Sequence, residues 1–98
     1  MLVKVNVPLK TFDGQVMKDN VEGEAVDATV KTAIVNAVLA PVQNEKGVDK
    51  VKKYELAKRI YAKDEVDLNE DDIKLIKDAV GENFAPIVVG QIYELLKV

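Results

Sequence analysis

From residue 28 onward the apolar residues of this chain recur at helical spacing, and only its first nine residues alternate strictly. That pattern confines the fold to a mostly helical one with a small β element near the start. Val3, Val5, Val7 and Leu9 alternate with Lys4, Asn6 and Pro8, which predicts a strand with one face in the core and one in water. Pro8 has no N–H for a ladder, so the strand is expected at an edge, or to end or bulge there. Asp13-Gly14 is a strong hairpin-turn signal, since both positions tolerate positive φ, and residues 15–18 would return as a second strand. A lone hairpin is marginal in water, so it must lie against something.

The support is helical. Asp27 is a good N-cap ahead of Ala28–Ala40, where Val30, Ala33, Ile34, Ala37 and Val38 form one stripe and Pro41 stops the run. A second helix is predicted over residues 48–63, with Val51, Tyr54, Leu56, Ala57, Ile60 and Tyr61 as a wide apolar stripe. The clearest start is at Leu68-Asn69-Glu70-Asp71-Asp72-Ile73: an N-cap asparagine, three acids matched to the helix dipole, and two hydrophobic residues placed to staple the turn. Ile73, Ile76, Ala79 and Val80 form the buried side, and Gly81 is the expected stop. Pro86 opens a last helix reaching Lys97, with Ile87, Val88, Ile92, Leu95 and Leu96 toward the core; Gly90 inside it implies a close crossing with a neighbour. The predicted class is α+β, mostly α: one domain over 1–98, with a β-hairpin at 2–19 packed on a compact group of about four helices spanning 27–97.

Composition narrows the chemistry. The 98 residues contain no cysteine, histidine, tryptophan or serine, which removes disulfides, thiolate and imidazole metal sites, and the usual nucleophile–base pairs. Thr11, Thr29 and Thr32 are the only small hydroxyls, and no phosphate-binding or dinucleotide loop occurs. No catalytic residue and no cofactor is therefore assigned. The net charge of −3 and pI near 4.9 argue against coating nucleic acid or a membrane surface. The N-terminus lacks a secretory pattern, and the longest apolar stretch, Ala33–Val42, is too short for a bilayer; a cytoplasmic location is expected.

Three clusters could carry function. Asp64, Glu65, Asp67, Glu70, Asp71 and Asp72 invite a divalent-metal reading. On a calcium-binding loop template Asp67, Asn69 and Asp71 fit, but Asp72 stands where glycine is needed and Asp78 where a bidentate glutamate is needed. A helix start explains the same residues, and no metal ligand is assigned. Residues 48–63 carry six cations against Asp49 and Glu55, which makes Lys52, Arg59 and Lys63 the candidate nucleic-acid contacts; the following residues, 64–83, carry eight acids against Lys74 and Lys77 and compensate the field. With one arginine in the chain, base-edge readout has little to work with. Tyr54 and Tyr61, seven apart, share a helical face; such a pair is expected in the core or at its margin, the alternative being a partner surface.

The order Pro8-Leu9, Asp13-Gly14, Asn36-Ala37-Val38-Leu39-Ala40-Pro41, Lys53-Tyr54-Glu55-Leu56-Ala57, then Asp72-Ile73-Lys74-Leu75-Ile76-Lys77 and Pro86-Ile87-Val88-Val89-Gly90-Gln91, resembles small accessory proteins encoded in tailed-phage and prophage genomes. The likeness spans nearly the whole chain and rests on turns, caps and core positions. It implies a phage accessory protein working in a bacterial cytoplasm or in virion assembly. The expectation is a non-catalytic protein that binds a phage or host protein, with homodimerisation as a natural extension. Two rival readings stay open: a small DNA-binding transcriptional regulator using residues 48–63, and a divalent-metal-dependent enzyme built on the acidic cluster.

Overall fold

The alternating N-terminus is extended, and it pairs chiefly with distant segments, only its end at Leu9 being joined to nearby Met17. A computed structural model describes the backbone of residues 1–98 and every side chain but that of Val21. Strand β1 (Leu2–Lys4) lies antiparallel to a strand at Glu65–Asp67, with Val3 opposite Val66. The Val5 N–H then donates to the Asp64 carbonyl at 2.8 Å, and the Val5 and Val7 carbonyls accept from Lys31 and Val30, each at 2.8 Å. Val3, Val5 and Leu9 are buried while Lys4, Asn6 and Pro8 are exposed, as period two requires. Lys10 closes the lacing: its N–H and carbonyl meet the Gln91 side-chain amide, both at 2.8 Å.

The hairpin expected over 2–19 is shorter than that span, and a second, regular one follows it. Asp13-Gly14 does turn the chain, with Gly14 at φ 87°, and across the turn Lys10 bridges Val16 antiparallel while Thr11 donates to the Gln15 carbonyl at 2.8 Å. The regular hairpin joins β2 (Lys18–Val21) and β3 (Glu24–Asp27) around Glu22-Gly23, both at positive φ (51° and 84°), as a two-residue turn matched to strand twist demands. Its base is fixed by a ring of backbone hydrogen bonds: Leu9 donates to Ala28, Met17 to Leu9 and Ala28 to Met17, each at 2.8 Å.

Four helices follow: α1 (Val30–Leu39), α2 (Gly47–Ala62), then strand β4 (Glu65–Asp67), α3 (Glu70–Asn83) and α4 (Pro86–Leu96). The cap of α1 is Thr29, whose hydroxyl accepts from the Thr32 N–H; Asp27 instead ends β3 and pairs with Lys18. The predicted start of α3 stands, as a capping box in which Asn69 accepts from the Asp72 N–H at 2.8 Å and Asp72 accepts from the Asn69 N–H at 3.1 Å. Gly81 does not stop the helix. It makes room for the Tyr93 hydroxyl, which donates to the Lys77 carbonyl at 2.7 Å; a Cβ on Gly81 would stand 2.7 Å from that oxygen.

Helix α1 packs against both α2 and α3, and α4 packs on α3. Ile34, Leu56, Ile60, Leu68, Ile76, Ile92, Leu96 and Val5 are the largest side chains in the shared core, and no polar or charged side chain among the described residues is buried. Gly90 is not at a close crossing, since a Cβ there would meet nothing within 4 Å. Gly90→Ala is therefore expected to stabilise the protein by about 1 kcal/mol, raising Tm by about 4–8 °C. A lowered Tm in a calorimetric scan would mean the glycine is needed for something other than helix economy.

Candidate functional site

Helix α2 carries two apolar stripes and can bury only one. Leu56, Ala57 and Ile60 face the core. Tyr54 and Tyr61 do not: at 55% and 73% exposed they lie outside the core, where they were expected in it or at its margin, and Val51 is exposed one turn before Tyr54. Residues 51, 54, 58 and 61 recur at four- and three-residue steps, so they line one side of the helix. That side meets two apolar residues of α1, Val35 and Leu39, which lie off the α1 core stripe. Together Val35, Leu39, Tyr54, Ala57, Lys58 and Tyr61 line an open groove of about 340 Å³. Lys58 is its one charged lining residue, and its ammonium sits 5.4 Å from the centre of the Tyr54 ring, within cation–π range. Leu39 and Val42 extend the exposed apolar surface toward the loop after α1. Contiguous exposed apolar surface rimmed by polar groups is the mark of a contact site. The clue available in sequence was Val35 and Leu39, two apolar residues one turn apart that the α1 stripe leaves unused.

The cations proposed for nucleic acid lie elsewhere. Lys52 and Arg59 each precede a tyrosine by two residues, which at about 100° per residue sets them on the opposite flank of the helix. Arg59 is held by Asp72 of the α3 capping box at 3.0 Å. Lys52 shares a shallow depression with Asp49, Asp71 and Asp78, while Arg59 and Lys63 share another with Lys58, Glu55, Glu65 and Asp67. Tyr54, Tyr61, Lys52, Arg59 and Lys63 therefore do not form one patch, and the carboxylates beside the three cations weaken their field.

The acidic cluster is dispersed among partners. Asp64 takes the Lys31 ammonium at 3.1 Å, Asp67 takes the Met1 amino group at 3.0 Å, and Asp72 serves the capping box and Arg59. Among the described residues no group of three or more potential metal ligands converges. The Asp13 carboxyl is held below its ordinary range by the Thr11 hydroxyl, which outweighs desolvation, with backbone N–H groups assisting. Its support of the turn is therefore present at neutral pH and is lost as acid protonates it. Among the described residues no helix is long and apolar enough to cross a membrane. Comparison with protein-family models, with curated proteins and with solved structures finds no match.

Proposed function

We propose that this protein is a non-catalytic interaction module, and that the groove between α1 and α2 is where it binds a protein partner. The observation that carries the reading is the exposure of Tyr54 and Tyr61 above an apolar floor. Tyrosines supply large contact area at low entropic cost and are enriched at interface cores. With the likeness to tailed-phage and prophage accessory proteins, this makes it a virion assembly factor or a modulator of a host protein, working in the bacterial cytoplasm or on the particle. The rival DNA-binding reading depends on Lys52, Arg59 and Lys63, and each of these has a carboxylate neighbour.

The double variant Tyr54→Ala/Tyr61→Ala tests the assignment. It is expected to unfold within about 1 kcal/mol of the parent, because neither ring is buried. Photo-crosslinking side chains at Leu39 and Tyr61 should give discrete protein adducts in cells carrying the protein, and one at Glu82 should not. Adducts at neither groove position would remove the site. Retardation of duplex DNA that falls with salt, and is lost on charge reversal at Lys52, Arg59 and Lys63, would replace it with the DNA-binding reading.

A further inference from the structure

We infer that the groove between α1 and α2 receives the β2–β3 hairpin of a second copy, so that copies join head to tail. The inference rests on the groove being a docking site and names its occupant. The hairpin is the element with the least to hold it. All its described side chains are exposed, and beyond its base no helix or strand packs extensively against it. A two-stranded ribbon is marginal in water and gains from a covered face.

Its two faces differ. Residues opposite one another in an antiparallel pair share a face. Lys18 and Asp27 lie on one face and neutralise each other as an ion pair. On the other face Asp19 stands opposite Val26, and Glu24 follows two residues before Val26 on the same strand. Neither Asp19 nor Glu24 forms an ion pair with a described residue, and Val26 is 40% exposed between them. A valine flanked by free carboxylates matches an apolar groove whose charged lining residue is Lys58. Of the α2 cations only Lys58 lines the groove, and residues 18–27 carry four carboxylates against Lys18. Pairing two grooves face to face would instead set Lys58 of each copy near the other, which like-charge repulsion disfavours. A hairpin-to-groove contact is heterologous, and it grows into an open chain unless the rotation closes a ring.

Two variants with opposite defects test this. In one, Asp19→Lys and Glu24→Lys spoil the hairpin; in the other, Leu39→Glu and Tyr61→Glu spoil the groove. All four positions are exposed, and unchanged circular dichroism and melting serve as the folding check. Sedimentation velocity of the parent from about 10 μM to about 1 mM should show concentration-dependent association, about tenfold or more weaker at high salt. Each variant alone should stay monomeric. Their equimolar mixture should form a one-to-one pair, because the intact groove of one takes the intact hairpin of the other. A third chain carrying Asp19→Lys, Glu24→Lys and Lys58→Glu should regain self-association. A parent that stays monomeric throughout overturns the inference, as does a mixture that stays monomeric. A hairpin variant that associates like the parent overturns it too, and would show the groove pairing with itself. The two readings fail separately: adducts at Leu39 and Tyr61 to proteins other than this chain would keep the groove as a docking site even if the parent stays monomeric.

Discussion

Val5→Asp is expected to leave the protein with no cooperative unfolding transition at 25 °C. The Val5 side chain is fully buried, at the point where the N-terminal segment leaves β4 and begins to run beside the start of α1. Its own N–H and carbonyl are committed to Asp64 and Lys31, so the backbone cannot swing the new carboxylate outward without losing both bonds. The adjacent cation, Lys31, is already held by Asp64 at 3.1 Å, and no charged side chain is fully buried among the described residues. An unpaired buried charge costs several kcal/mol, against a total of about 5–15 kcal/mol for a whole domain. The control is next door: Asn6→Asp adds the same charge at an exposed position and should shift stability by no more than about 0.5 kcal/mol. Denaturant titration of both variants by circular dichroism checks the pair. A cooperative, parent-like curve for Val5→Asp would show that residues 1–9 are dispensable to the core.

Ile34→Ala should cost about 3–4 kcal/mol, moving the denaturation midpoint without changing its slope. Ile34 is fully buried on α1, the helix that packs against both α2 and α3, so the void opens where neighbours on two sides would have to move to fill it. Five residues along the same helix, Leu39 is 51% exposed, and Leu39→Ala should cost less than about 1 kcal/mol while stripping apolar surface from the groove. A loss under about 1.5 kcal/mol for Ile34→Ala would mean that the three helices collapse onto the gap. That result would be inconsistent with a rigid groove between α1 and α2.

What the sequence revealed follows a physical division between local and distant causes. The start of α3 was readable because every group that makes it lies between Leu68 and Ile73. The alternation of residues 3–9 was readable as an extended segment with a buried face. Its partner was not, because β4 is a three-residue strand some sixty positions away and carries no pattern of its own. The Asp13-Gly14 signal was honoured as a turn, but the flanking backbone of Leu9 and Met17 is bonded into a ring with Ala28, and this distant contact leaves no room for a long ladder there. Gly81 has the look of a helix end in sequence, and only the approach of Tyr93 from another helix explains why the chain continues through it. The groove was half legible. The spacing of Tyr54 and Tyr61 put them on one face, but α2 has apolar residues on two faces, and periodicity alone does not say which one the other helices cover.

The lacing of residues 1–10 also governs the order in which the molecule can be completed. During synthesis this stretch leaves the ribosome before the groups that satisfy it, which belong to Met17 and to residues 28–31, 64–68 and 91. At translation speeds of about 5–20 residues per second, it waits several seconds for its last anchor. Closing so long a span carries an entropic cost that is recovered only once the helices have assembled. A segment made before its partners is thus the last to find its seat, and the valines it holds exposed meanwhile are open to a chaperone or to a neighbouring nascent chain.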